Sequence, residues 1–175
     1  MAATYTLISS NVLSSSAASV TFSAIPSTYT DLVLRVSARN DKTGNIQSEM
    51  YVTFNGTTSG YSYTSIRGNG ATPVSNNGTA QASIGGNLFP VVDTADATAN
   101  TFNSVEVYVP NYTVAQNKPI ASFTALENNA ITAWMYAGAS LWSNTAAITS
   151  MTISNSSTWV FNAGSSFYLY GIKNS

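Results

Sequence analysis

Asp31-Leu-Val-Leu-Arg-Val-Ser-Ala-Arg39 is the stretch that decides the fold. Leu32, Leu34, Val36 and Ala38 fall on one side of an extended chain, and Asp31, Arg35, Ser37 and Arg39 on the other. That period of two belongs to a half-buried β-strand, because helical spacing of 3.6 would scatter the same apolar residues around a cylinder. Val33 lies among the polar set, so the second face is not uniformly wet.

The same alternation extends outward in both directions. Toward the N-terminus, residues 4–9 and 19–25 are β-branched and aromatic runs separated by the Ser14-Ser15-Ser16 loop. Residues 49–54 continue the pattern and end at Asn55-Gly56, a strong hairpin signal because both residues tolerate positive φ. Residues 61–67 are then expected to return beside them. A loop-rich centre follows, about 68–100, carrying Gly68-Asn69-Gly70, Asn76-Asn77-Gly78 and Gly85-Gly86, with short strands expected at 80–84 and 87–92.

The second half is regular again. Val105, Val107 and Val109 alternate with Ser104, Glu106 and Tyr108 until Pro110 stops the strand. Further strands are expected at 120–126, 131–141, 148–153 and 167–172. Residues 130–142 contain Ala and Met and invite a helical reading, but Gly138, two tryptophans and the surrounding β-runs favour a strand. The sum is an all-β antiparallel sandwich of about eight to ten strands. It spans 1–175 as one domain with an insertion at 68–100. Sequential hairpins alone would suit an up-and-down barrel; the long central loop favours strands crossing between sheets in a jelly-roll manner.

Composition narrows the chemistry. The chain of 175 residues has no histidine, no cysteine, six basic and seven acidic residues, and a net charge of −1. Charged residues make 7% of it, against about a quarter in ordinary domains. Ser, Thr and Asn take the polar positions. Nothing steers the chain toward nucleic acid or an anionic membrane, and no apolar run approaches the ~20 residues of a spanning helix. The opening residues lack a signal-peptide pattern, which suggests synthesis in a cytoplasm. The Asn-x-Ser/Thr triplets at Asn55, Asn77, Asn111 and Asn155 are expected by chance in so Asn- and Thr-rich a chain.

Candidate chemical groups are sparse. Asp93 and Asp96 share a loop and could offer oxygens to Ca²⁺, but no further carboxylate lies nearby, and two solvated acids are the plainer reading. Glu106 and Glu127 are the pair a glycosidase would need. Without histidine no Ser–His–Asp triad exists. No catalytic residue, cofactor or metal is therefore assigned. Arg35 and Arg39 either form cross-strand ion pairs or anchor a partner. Tyr and Trp side chains either fill the core or line a subunit or carbohydrate surface. The candidate interface residues are Tyr5, Arg35, Arg39, Tyr61, Tyr63, Arg67 and Trp142. A chain with so few charges to guard its sheet edges is expected to cover them with copies of itself, as a homotrimer or lattice component.

Several phrases resemble small proteins encoded by tailed bacteriophages. They are Ser14-Ser-Ser-Ala-Ala-Ser-Val-Thr-Phe-Ser-Ala-Ile-Pro26, Tyr29-Thr-Asp-Leu-Val-Leu-Arg35, and Ala99-Asn-Thr-Phe-Asn-Ser-Val-Glu-Val-Tyr108. Gln116-Asn-Lys-Pro119, Ala139-Ser-Leu-Trp142, Asn144-Thr-Ala-Ala-Ile-Thr-Ser150 and Ser166-Phe-Tyr-Leu-Tyr-Gly-Ile172 add to them. The resemblance implies a virion structural protein on a β-sandwich, without enzymatic activity. The expected role is capsid decoration or cement at the virion surface, with the major capsid protein or other virion proteins as partners. The alternative is the receptor-binding head of a tail fibre or spike, holding host surface glycan through Tyr, Trp and Asn in the central loop.

Overall fold

The computed structural model describes residues 4–85, 90–129, 133–156 and 158–173. Twelve strands follow in chain order: β1 Tyr5–Val12, β2 Ser19–Phe22, β3 Asp31–Ser37, β4 Gln47–Phe54, β5 Tyr61–Gly68 and β6 Val74–Gln81. The remaining six are β7 Val91–Asp93, β8 Ser104–Val109, β9 Lys118–Leu126, β10 Trp134–Trp142, β11 Met151–Asn155 and β12 Ser166–Ile172. Every strand pair is antiparallel. They form one sheet of eight, ordered β1-β12-β3-β8-β9-β10-β5-β6, and one of four, ordered β2-β11-β4-β7. The expected sandwich is observed. It has twelve strands rather than eight to ten, divided eight and four, which is not the even division of a simple eight-stranded jelly roll.

β3 sits between β12 and β8, and its apolar stripe faces the small sheet. Leu34 pairs with Leu169 and Val107, all fully buried. Val20, Phe22, Met50, Val52, Phe54, Met151 and Ile153 of the small sheet belong to the same apolar cluster. Burying a Leu, Val or Phe side chain contributes roughly 1.5–3 kcal/mol. Val33, on the opposite side of β3, is also buried. It is flanked in register by Tyr108 and Tyr170, whose rings are large enough to roof it.

Asn55-Gly56 forms a tight turn with both residues at positive φ, yet it does not make the expected hairpin. β4 pairs with β11 and β7, whereas β5 pairs with β10 and β6, so the chain changes sheets here. Asn55 is the reason. Its Oδ1 accepts from the backbone N–H of Thr149 (2.8 Å) and Ser150 (3.1 Å), and its Nδ2 donates to the Ala147 carbonyl (2.8 Å). The turn is thereby tied to the irregular segment that leads into β11.

The expected loop at 68–100 contains two strands. β6, read from its Asn and Gly content as loop, is an edge strand of the large sheet, and Ile84 makes only an isolated bridge to Val52. Part of the strand expected at 87–92, and the start of the one expected at 131–141, lie outside the described residues. Among the described residues no helix is long and apolar enough to cross a membrane.

Lys118 is fully buried, and its Nζ donates to the carbonyls of Val114 (2.8 Å), Gln116 (2.5 Å) and Thr145 (3.4 Å). Burial holds its ammonium below the usual lysine range. At the far end of β12, a Cβ on Gly171 would clash with the ring of Tyr29 at its Cγ, and that ring packs against the main core. Gly171→Ala is expected to cost about 1–3 kcal/mol through overpacking. Urea unfolding would register it as a lower midpoint at unchanged slope, partly restored by adding Tyr29→Ala.

Candidate functional site

The structure separates the seven candidate interface residues. Tyr61, Tyr63 and Trp142 point inward and are buried. Trp142 stacks on Tyr61 with ring centroids 6.1 Å apart and planes 15° off parallel, and Phe54 closes the group at 5.4 Å from Trp142. The Tyr61 hydroxyl accepts from the Phe54 N–H (2.8 Å) and donates to the Thr57 carbonyl (3.2 Å). Burial pushes its pKa up to about 12. Phe54, Tyr61 and Trp142 clamp the passage between the sheets, while the Tyr63 ring lies apart from them against Gly78 of β6.

Arg39 is also withdrawn, with 9% of its surface exposed. Its Nη1 donates to the carbonyls of Thr98 (2.7 Å) and Thr101 (3.2 Å), and its Nη2 to those of Ala95 (3.1 Å) and Ala97 (2.9 Å). The guanidinium is the pin of loop 94–101. Alternation alone assigns Arg39 to the wet face; the strand ends at Ser37, so that periodicity no longer governs it.

Three candidates stay accessible. Tyr5 is 51% exposed on edge strand β1 and meets Tyr170 edge-on at 6.4 Å. Arg35 pairs with Glu106 at 2.7 Å directly across β3 and β8, a solvated pair worth under about 1 kcal/mol. Arg67 is half-buried, its guanidinium 5.0 Å above the Trp134 ring. Beside that pair, residues 68–70, Leu126, Glu127, Trp134 and Met135 line an open cleft of about 580 Å³ at the end of the large sheet.

Tyr5 and Arg35 share the outer face of the eight-stranded sheet, whereas Arg67, in register with buried Tyr136, lies at the rim of its inner side. One row reads Tyr168, Arg35, Glu106, Phe123, Ala137 and Ile66 across β12, β3, β8, β9, β10 and β5. Phe123, Ile66 (60% exposed) and Met135 (58%) stand in solvent, as does Leu7 on β1. The edge strands β1 and β6 contain no charged residue and no proline. Strands were expected from the sequence near β9 and β10, at 120–126 and 131–141, but not which of their faces a second sheet would cover.

The acidic candidates diverge. Asp96 accepts from the Gly44 N–H at 2.5 Å, and Glu127 from the Asn129 N–H at 2.9 Å. Asp93 is fully buried, and neither carboxylate oxygen has a hydrogen-bond partner among the described residues. Burial raises its pKa to about 6, with the nearby Arg39 guanidinium and Thr101 hydroxyl pulling the other way. No group of three or more His, Cys, Asp or Glu able to hold a metal occurs among the described residues.

Comparison with protein-family models, with curated proteins and with solved structures yields no match.

The raised Asp93 pKa sets a pH dependence. The folded state binds this proton more tightly than the unfolded chain, so its stabilising effect is full below about pH 4 and lost as pH rises through about 6. Asp93→Asn, nearly isosteric and uncharged, is expected to raise the neutral-pH stability by about 2–3 kcal/mol and to flatten the melting temperature between pH 4 and 7. Melting followed by circular dichroism across that range checks it.

Proposed function

We propose that this protein is a non-enzymatic structural component of a virion, a decoration or cement protein that docks on the outer capsid shell. The observation that carries the reading is the large sheet: a broad, nearly neutral outer face ending in two edge strands without charge or proline. Open edges of this kind invite strand addition or coverage, and exposed apolar side chains in a contiguous face mark interaction surfaces. The resemblance to small tailed-phage virion proteins supports the same reading. Binding the assembled shell and not its separated subunits stabilises the shell by mass action, which is the work of a cement. Self-association, as a trimer or as a lattice, is part of the proposal because the same edges serve both contacts.

A glycan-binding head at a fibre tip is the second reading, favoured by the open cleft beside Trp134 and Arg67. The two differ in stoichiometry. Quantitative gels of purified virions are expected to give as many copies as the shell has repeating positions, and capsids lacking the protein are expected to rupture at lower temperature. A handful of copies per particle, with direct adhesion to host cells, would select the fibre head instead.

A further inference from the structure

Three central strands of the large sheet build a polar recess on its outer face. Tyr168 of β12 lies opposite Arg35 of β3, which lies opposite Glu106 of β8. One pleat further along, Ser166 lies opposite Ser37, and Ser104 stands two residues from Glu106 on the same face. The side chains thus form two parallel rows, one tall and one short. The serines, one carbon long, make a low floor beside the taller row of Tyr, Arg and Glu. The hollow measures about 170 Å³. None of the three serine hydroxyls is hydrogen-bonded to another described residue. Phe123, in register with Glu106 on β9, flanks the recess with an exposed ring.

We propose that this recess is a saccharide subsite that takes one uncharged pyranose ring. Each sugar hydroxyl is both donor and acceptor, and the Arg35–Glu106 pair presents donors and acceptors side by side, as vicinal hydroxyls require. The serine floor adds three groups of the same dual character. The ring of Tyr168, which lines the recess, offers an apolar face to the C–H side of the sugar. Charge selects against ionic ligands: an anion must displace Glu106 from Arg35, and a cation must displace Arg35 from Glu106. The volume lies below the ~300–1,000 Å³ of sites for larger ligands, which limits occupancy to a single ring. The inference goes beyond the shell-docking role and does not depend on it, since virion copy number tests that role separately.

Saturation-transfer NMR with methyl α-glucoside, methyl β-galactoside, methyl α-mannoside and N-acetylglucosamine tests the site, with glucuronate and glucosamine as charged counterparts. At least one neutral sugar is expected to bind on the order of 1–10 mM. Its amide shift perturbations should cluster at Ser37, Ser104 and Ser166. Ser37→Leu, which fills the floor from the solvent side, is expected to weaken binding at least tenfold. Glu127→Gln, in the separate cleft, should leave it unchanged. The shift map on the unmodified chain decides the matter even where Ser37→Leu folds poorly. Absence of transfer from every neutral sugar, perturbations centred on Trp134, or tighter binding of glucuronate or glucosamine would each overturn the proposal.

Discussion

The structure depends on one line of contact, where Leu34 and its register neighbours Val107 and Leu169 close against the small sheet. All three are fully buried at the centre of the eight-stranded sheet. The small sheet, four strands wide, covers that centre and leaves the flanks to other devices. On one flank Phe54, Tyr61 and Trp142 pack where the chain passes from one sheet to the other. On another, Val91, Leu126 and Tyr136 form a separate small cluster with Trp134 against it. Unequal sheets therefore need aromatic bulk at the places where the second layer runs out.

With so few charges, each one that is buried has a defined structural task. Arg39 gathers four carbonyls of one loop, and Lys118 gathers three carbonyls from two segments. Asn55 does the same with its amide at the sheet-crossing turn. In each case an irregular segment with unpaired backbone groups is satisfied by one polar side chain, as the low-dielectric interior demands. Asp93 is the exception. It lies buried near Arg39 without a hydrogen bond to either oxygen, and its raised pKa expresses that cost.

The outer face of the large sheet follows from the same economy of charge. A monomeric β-protein ordinarily guards such a face and its edges with lysine or glutamate. Here the face carries Tyr5, Leu7, Ile66, Phe123 and Met135 in solvent, with the Arg35–Glu106 pair as its ionic centre. A surface of this composition is suited to contact with other molecules, and the proposals for shell docking and sugar binding address different parts of it.

The alternation of Leu32, Leu34 and Val36 with Arg35 and Ser37 was enough to place β3, its inner face and the all-β class, because side-chain direction in a strand is a local property of the pleat. Arg35 stood out correctly as an exposed group for the same reason. Tyr61, Tyr63 and Trp142 could not be placed, since a tyrosine or tryptophan suits a core and a surface equally well until a second layer covers one side. Asn55-Gly56 determined a turn, but whether the chain returned beside β4 or crossed to the other sheet rested on Asn55 finding backbone partners near Thr149. β6 escaped notice because its residues have weak strand preference and acquire strand geometry by pairing with β5. Long-range partners, which tertiary structure alone supplies, decided which apolar residues became core, which arginine became a loop pin, and which face stayed open.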